Sequence, residues 1–314
     1  MKTTLLATIL VVLIGQSVTA ASYNQTITAI YGGGNPDNGW TTDAGGGVTL
    51  GLQAKDRDDG TIVNVNEVYS YPVGPSANPL RAKWNWQFSI NSGSANLDVT
   101  YDYYVAIDLD PSQCINYAVV NALTSFGGTS YGNDGTLNGQ GSEPNLLPPN
   151  PIVTPAFLAQ NNNIAQQSQN LVFAGGNMNL NATYNYELFA VVKGSGPNGA
   201  RVASVGITVV VGTGGAPCDS DGDGIIDDLD ACPHSDLAAT VVIGGCDSGV
   251  PNTLFANGCT IADLIAHCAA NASNHGQFVS CVAELTNTLK ANGAITGKQK
   301  GAIQSCAAKS SIGK

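Results

Sequence analysis

Between Trp84 and Ile90, large apolar side chains alternate with polar ones without a break. Trp84, Trp86, Phe88 and Ile90 fall on one side of an extended chain, and Asn85, Gln87 and Ser89 on the other. A period of two is incompatible with a helix, and three aromatics and an Ile on one face demand a buried partner surface. The pattern returns at Tyr101, Tyr103, Val105, Ile107 and Leu109, stopped by Pro111. It returns again at Tyr184, Tyr186, Leu188, Ala190 and Val192, and at Val205, Ile207, Val209 and Val211. Gln25–Ile30 and Gly47–Ala54 are expected to add further strands. Turn-forming stretches lie between them, at Gly32-Gly-Gly-Asn-Pro36, Asn91-Ser-Gly-Ser94 and Gly194-Ser-Gly-Pro-Asn-Gly199. Repeated alternation with no helical period predicts a mainly β fold, an antiparallel, Ig-like β-sandwich spanning residues 21–211. Gly127–Pro155, rich in Gly, Asn and Pro, is expected to be a long loop. A short helix is expected over Pro155–Gln167.

The period changes near the C-terminal end. Ile261, Leu264, Ile265 and Cys268 stand at helical spacing behind Thr260, a possible cap. Phe278, Cys281, Val282, Leu285 and Leu289 mark a second helix, and a third begins near Thr296 and carries Ile303 and Cys306. A small helical, cysteine-rich module is therefore expected over 251–314, with 212–217 (Gly-Thr-Gly-Gly-Ala-Pro) as a linker.

Seven of the eight cysteines crowd between Cys218 and Cys306: Cys218, Cys232, Cys246, Cys259, Cys268, Cys281 and Cys306. Cys114 stands apart. Seven is odd, so either Cys114 bridges to the C-terminal part or two thiols stay free. Spacing leaves the connectivity open. Residues 1–20 carry Lys2, an apolar run from Leu5 to Gly15 and a small-residue Val18-Thr19-Ala20 site, the layout of a secretory signal peptide. Export, whether to the periplasm or to the extracellular space, makes disulfides the expected state of these thiols. No later apolar stretch is long enough to span a membrane. Losing Lys2 with the signal takes the formal net charge from −11 to −12, which argues against nucleic acid and anionic membranes as partners.

One acidic run stands between the two patterns. Asp219-Ser-Asp-Gly-Asp-Gly-Ile-Ile-Asp-Asp-Leu-Asp230 has no Lys or Arg from Cys218 to Cys268 to offset it. Such crowding is repulsive unless a cation is present. Calcium takes about 6–8 oxygen ligands, and D-x-D-x-D-G supplies carboxylates at loop positions 1, 3 and 5 with a turn glycine at 6. Asp219, Asp221 and Asp223 fill the first three, Gly224 the turn, Ile225 a backbone carbonyl, and Asp227 and Asp230 positions 9 and 12. Ca2+ is the expected ligand.

Asp219 through Cys232-Pro233 resembles a thrombospondin type-3 repeat, D-x-D-x-D-G-x-x-D-x-x-D-x-C-P, at all fifteen positions. That resemblance implies a calcium-binding repeat of exported proteins over residues 218–250. Asp219, Asp221, Asp223, Asp227 and Asp230 would be ligands and Cys232 a disulfide partner, with Asp228 at a variable position. The family strings repeats in tandem, whereas a single full copy stands here, so one or two ions are implied. Gly34–Trp40 and Lys83–Ile90 also resemble stretches of bacterial exported β domains, a likeness that brings no activity with it.

Other residues suggest other chemistry. His234, His267 and His275 with Cys268 and Cys281 suggest zinc, but His267 and Cys268 point about 100° apart on a helix. Asp37, Asp43, Asp108 and Glu143 could serve a polysaccharide hydrolase. Asp108 and Asp110, before Pro111, suit a turn cap or a second calcium better. Asp98 and Asp102 are expected to point outward. Trp84 and Trp86 are expected to be buried, leaving Trp40, in an Asn-Gly-Trp-Thr-Thr turn, as the exposed aromatic a carbohydrate-binding module would use. No nucleophile elbow, H-E-x-x-H helix, P-loop or dinucleotide fingerprint occurs. The expectation is a non-enzymatic, exported calcium-binding protein of structural or adhesive role, with an extracellular protein or glycan as partner.

Overall fold

The computed structural model describes residues 21–32, 35–147 and 151–314, so the signal expected over 1–20 lies outside the described residues. The chain divides into two compact units. One holds the residues up to Pro111 with Ile115–Gly215, and the other Ser112–Cys114 with Ala216–Lys314.

The first unit is mainly β. Its strands are β1 (Ser22–Gln25), β2 (Trp40–Gly45), β3 (Val48–Asp56), β4 (Asn64–Val65), β5 (Val68–Tyr71) and β6 (Trp84–Asn91). There follow β7 (Tyr101–Asp108), β8 (Tyr117–Asn121), β9 (Ser130–Gly132), β10 (Ile164–Asn170), β11 (Ala182–Val192) and β12 (Arg201–Val211), with a short helix, α1 (Pro155–Asn161), before β10. They form two six-stranded sheets in the orders β1-β2-β3-β6-β10-β9 and β4-β5-β12-β11-β7-β8. Every pairing is antiparallel except β5 with β12.

The alternating residues of both sheets meet in one apolar cluster. Leu50, Leu52, Trp84, Trp86, Phe88 and Ile90 come from the first sheet, and Tyr103, Val105, Tyr184, Tyr186, Leu188 and Val205 from the second. Trp86 stacks on Tyr186 with ring centroids 4.9 Å apart, and Trp84 lies 5.9 Å from Tyr184. Burying each such side chain contributes about 1.5–3 kcal/mol.

Two expectations are corrected here. The strand expected over Gln25–Ile30 stops at Gln25. The chain beyond it crosses the opposite, polar face of the first sheet. There Ile30 N donates to Gln166 Oε1 at 2.8 Å, Gln166 Nε2 to Thr28 O at 2.6 Å, and Gln87 Nε2 to Asn35 Oδ1 at 2.8 Å. That face carries carboxamides, so side chains satisfy the crossing segment where a ladder otherwise would. The helix expected over Pro155–Gln167 spans only half that range. Thr154 caps it, with Pro155 in its first turn, and Asn162 ends it in an extended conformation. The remainder becomes β10, between β6 and β9. The Gly127–Pro155 stretch, described except for residues 148–150, is pinned by β9 and by bridges between Tyr131 and Ser142 and between Asn145 and Val153.

The second unit builds a hairpin of β13 (Thr240–Ile243) and β14 (Cys246–Pro251), then α2 (Ile261–Asn271), α3 (His275–Ala291) and α4 (Gly297–Lys309). Each helix starts on a side-chain cap: Thr260 with Asp263 in a reciprocal capping box, Asn274, and Thr296 with Gln299. Val241, Ile243 and Val250 of the hairpin share one core with Ile261, Ile265, Phe278, Val282 and Ile303 of the helices. The hairpin and the helices are thus one packed body, and residue 250 is not a packing boundary. All eight cysteines are paired: Cys114–Cys218, Cys232–Cys259, Cys246–Cys306 and Cys268–Cys281. The odd count resolves because Cys114 bridges to the C-terminal group. Four disulfides fit an oxidising compartment. Among the described residues, no helix is long and apolar enough to cross a membrane.

Candidate metal centre

The acidic run opens directly after Cys218 and closes on itself through Asp227 N donating to Cys218 O at 2.8 Å. Inside it, the first three carboxylates fold back on nearby backbone. Asp219 accepts from Gly222 N at 2.8 Å and Gly224 N at 3.0 Å, Asp221 from Asp223 N at 3.1 Å, and Asp223 from Ile225 N at 2.7 Å. These turns need left-handed backbone, supplied by Gly222 at φ +75° and Gly224 at φ +94°. They bring one carboxylate oxygen each of Asp219, Asp221 and Asp223 within 4.8 Å of one another. Two oxygens bound to one calcium at about 2.4 Å can stand no more than about 4.8 Å apart. At such spacing each like-charged pair repels by roughly 1 kcal/mol in water, and by several at lower dielectric.

The other expected ligands are placed differently. Asp227 accepts from Ser220 N at 2.8 Å and from Ser220 Oγ at 2.7 Å. The Ser220 hydroxyl, its backbone N–H and nearby His234 hold the carboxyl below its ordinary range. Asp230 accepts from Cys232 N at 2.7 Å. Neither belongs to the group of three. Ile225 is half-buried and gives its N–H to Asp223, and Asp228 is exposed. Two oxygens in the run, Asp223 Oδ2 and Asp230 Oδ2, are buried without a hydrogen-bond partner. A buried carboxylate oxygen in that state costs free energy unless a cation or water meets it.

Residues outside the run hold it in place. Ser235 N donates to Asp221 Oδ2 at 2.7 Å, and the Ser235 hydroxyl lies 2.6 Å from Gly258 O and 2.7 Å from Asp263 Oδ2. Asp263 also takes Thr260 N, Thr260 Oγ1 and Asp236 N. Burial alone would raise its pKa, but hydrogen bonds from Thr260, Asp236 and Ser235 outweigh that and hold it below the ordinary carboxylate value. Gly258, at φ +83°, passes so close to Asp230 that a Cβ there would lie 1.7 Å from Asp230 Oδ1. The Cys232–Cys259 bridge joins these two stretches. Ser235, Asp263 and Gly258 were not among the expected site residues. The Thr260-Ile-Ala-Asp263 capping-box pattern was the sequence signal that could have singled out Asp263.

The remaining candidates resolve individually. Trp40 is not an exposed aromatic. It is fully buried, its indole N–H bonds to Pro36 O at 3.1 Å, and it packs over Gly51, where a Cβ would come within 3.0 Å of the ring. A glycine across the ladder makes room for the ring, which is why a tryptophan in a polar segment sinks inward. Trp84 and Trp86 are buried. Asp108 is buried and caps its turn, accepting from Asp110 N, Asn116 N and Asn185 Nδ2. Asp43 is buried and accepts from Ser204 N, while Asp37 and Glu143 are exposed. Asp98 pairs with Lys193 and Asp102 accepts from Gly194 N. Cys268 and Cys281 are joined to each other, so neither is a zinc thiolate, and His275 faces the Ile312 and Ala308 carbonyls. No protein-family model matches the chain, and neither a curated protein nor a solved structure matches it.

Proposed function

We propose that the Asp219–Asp230 run binds calcium and that the protein is an exported, non-enzymatic calcium-binding protein of structural or adhesive role. The observation that carries this reading is the convergence of the Asp219, Asp221 and Asp223 carboxylates within the span one calcium can bridge. Hard oxygen donors alone, on turns built by two left-handed glycines, suit a hard divalent cation rather than a transition metal. The Ile225 carbonyl, Asp227 and Asp230 would complete the shell, and the unpartnered Asp223 and Asp230 oxygens are consistent with that. The likeness to a thrombospondin type-3 repeat points the same way.

In this reading the first unit is a β-sandwich, its sheets packed face to face. Calcium offsets the repulsion in the segment that follows it and orders that segment. The signal-like residues 1–20 and the four disulfides favour export. Extracellular calcium sites have Kd of about 10⁻⁴–10⁻³ M, so one such site at about 1 mM calcium would stabilise the second unit by roughly 0.4–1.4 kcal/mol. Calorimetric titration of the full chain with calcium, alongside thermal melts with and without chelator, tests this. We expect saturable binding, a lower melting temperature in chelator, and faster protease cutting between residues 212 and 251. An Asp219→Asn/Asp223→Asn variant should show none of these calcium effects. Absence of binding heat at millimolar calcium, with melts superimposed, would refute the proposal.

A further inference from the structure

A second feature of the first unit has no counterpart in the acidic run. Where β6, β7, β8 and β10 come together, an open recess of about 570 Å³ reaches down to Trp86. That volume lies within the roughly 300–1,000 Å³ of small-molecule sites. Its apolar lining centres on Trp86, Phe126 and Phe173, with Trp86 and Phe126 edge to face at 5.7 Å. Its polar lining comes from Ser125, Gln167 and Gln169.

The recess is built by local structure. Gln167 and Gln169 pair with Phe88 and Trp86 across the ladder, so they project to the aromatic side of the sheet. Gln167 is locked: its Nε2 donates to Gly127 O at 2.7 Å, and its Oε1 accepts from Ser168 N at 2.7 Å. This tethers the Gly127-Gly128 turn, with Gly128 at φ +75°, beside the opening. Phe173 is 55% exposed, and the Arg81 guanidinium sits 4.5 Å above its ring. A large aromatic left that open on a rigid framework is costly to the free protein and useful to a ligand.

The lining also narrows the chemistry. None of the lining residues is ionisable, and the charges nearby, Arg81 over Phe173 and Glu143 beside Gly128, stand outside the lining. Neither an anion nor a cation would therefore find a countercharge in its walls, and burying one there is costly. A purely apolar ligand would leave the Gln169 carboxamide and the Ser125 hydroxyl unmatched. The complementary molecule carries apolar C–H faces for the rings and, around its edge, neutral groups that both donate and accept, as carboxamides do. A pyranose has this distribution. Glu143 approaches the rim at Gly128, with Oε2 3.9 Å from where a Cβ would stand. It faces no second carboxylate in the lining, whereas glycoside hydrolysis uses a pair. We propose that this recess is a binding site for a neutral carbohydrate, holding a pyranose against Phe126 and Phe173 with Gln169 and Ser125 on its hydroxyls. The site does not depend on the calcium reading, because no residue of Asp219–Asp230 lines it.

The test uses the full chain in calcium-containing buffer. Soluble neutral oligosaccharides of glucose, mannose, xylose and N-acetylglucosamine are titrated beside polygalacturonate and heparin as charged controls. Binding is read by calorimetry and by tryptophan emission, since Trp86 lines the recess. We expect at least one neutral oligosaccharide to bind saturably. Phe173→Ala and Gln169→Ala should each weaken it about tenfold or more, with circular dichroism and melting temperature unchanged. Leu229→Ala, in the second unit, should leave the affinity as it is. Three results would overturn the proposal: no neutral sugar binding at millimolar concentration, binding confined to the charged polymers, or full affinity retained by both recess variants.

Discussion

The two units solve the same stability problem by different means. The first buries a continuous aromatic cluster supplied by two six-stranded sheets, and none of the four disulfides joins two of its residues. The second has a smaller core, with Phe278 its fully buried aromatic and Cys268 and Cys306 among its members, and it carries every disulfide. Core size explains the contrast. A short segment exposes too much surface for its volume, so it cannot offset chain entropy by burial alone. A cross-link instead removes entropy from the unfolded chain, by about 3 kcal/mol for a loop of roughly fifteen residues and more for longer ones.

That contrast can be broken experimentally, and reduction should do so with the largest effect. All three tryptophans, Trp40, Trp84 and Trp86, lie in the first unit, so emission follows that unit while helical circular dichroism follows the second. A reductant under otherwise native conditions should abolish the helical signal and leave the tryptophan emission in place. Joint loss of both signals would mean that the first unit, too, relies on the bridges.

A core truncation should act the other way, with an intermediate effect. Trp84→Ala removes a fully buried ring that contacts Tyr71, Tyr184 and Tyr186, and should cost the first unit about 3–5 kcal/mol. Denaturant melts followed by near-ultraviolet circular dichroism would show this, with the helical transition unmoved.

The smallest effect is expected at Asp263. Asp263→Ala removes the capping box of α2 and the contact to Ser235, at a cost of about 1–2 kcal/mol. The pH dependence follows in sign. The native pKa lies below the ordinary value, so the carboxylate contributes stability above about pH 4, the unfolded value. That contribution is lost as pH falls through the lower native value. Wild type should therefore lose stability relative to Asp263→Ala on acidification, modestly because the group is partly exposed. Parallel pH profiles for the two proteins would contradict the capping account.

How far the chain could be read before its structure follows the same physical line. β6, β7, β11 and β12 were legible because one face of each is apolar and meets the core, which writes a period of two into the residues. β10 was not. Its Ile-Ala-Gln-Gln-Ser-Gln-Asn sequence is polar toward both sheet faces, yet Gln166 and Asn170 are fully buried, because their partners are the Ser89 hydroxyl, the Asn85 amide and backbone carbonyls. Burial without apolarity leaves no hydrophobic period to detect. Trp40 was misplaced for a related reason: the space that receives it is made by Gly51, on a different strand. In the acidic run, Asp219, Asp221 and Asp223 were legible as a group because alternate residues of one tight loop are neighbours whatever the rest of the fold does. Ser235, Gly258 and Asp263 reach the same place only through a long-range closure, the Cys232–Cys259 bridge, and spacing alone could not choose that pairing.

The Cys114–Cys218 bridge spans 104 positions, and everything from β8 to β12 lies inside the covalent ring it closes. A single backbone scission within that ring, for instance beside the exposed Leu146 and Leu147, opens the circle but sheds nothing, since each new end stays tethered through the sulfurs. Only two scissions could release a fragment. For a molecule that meets proteases, this is built-in tolerance of a nick.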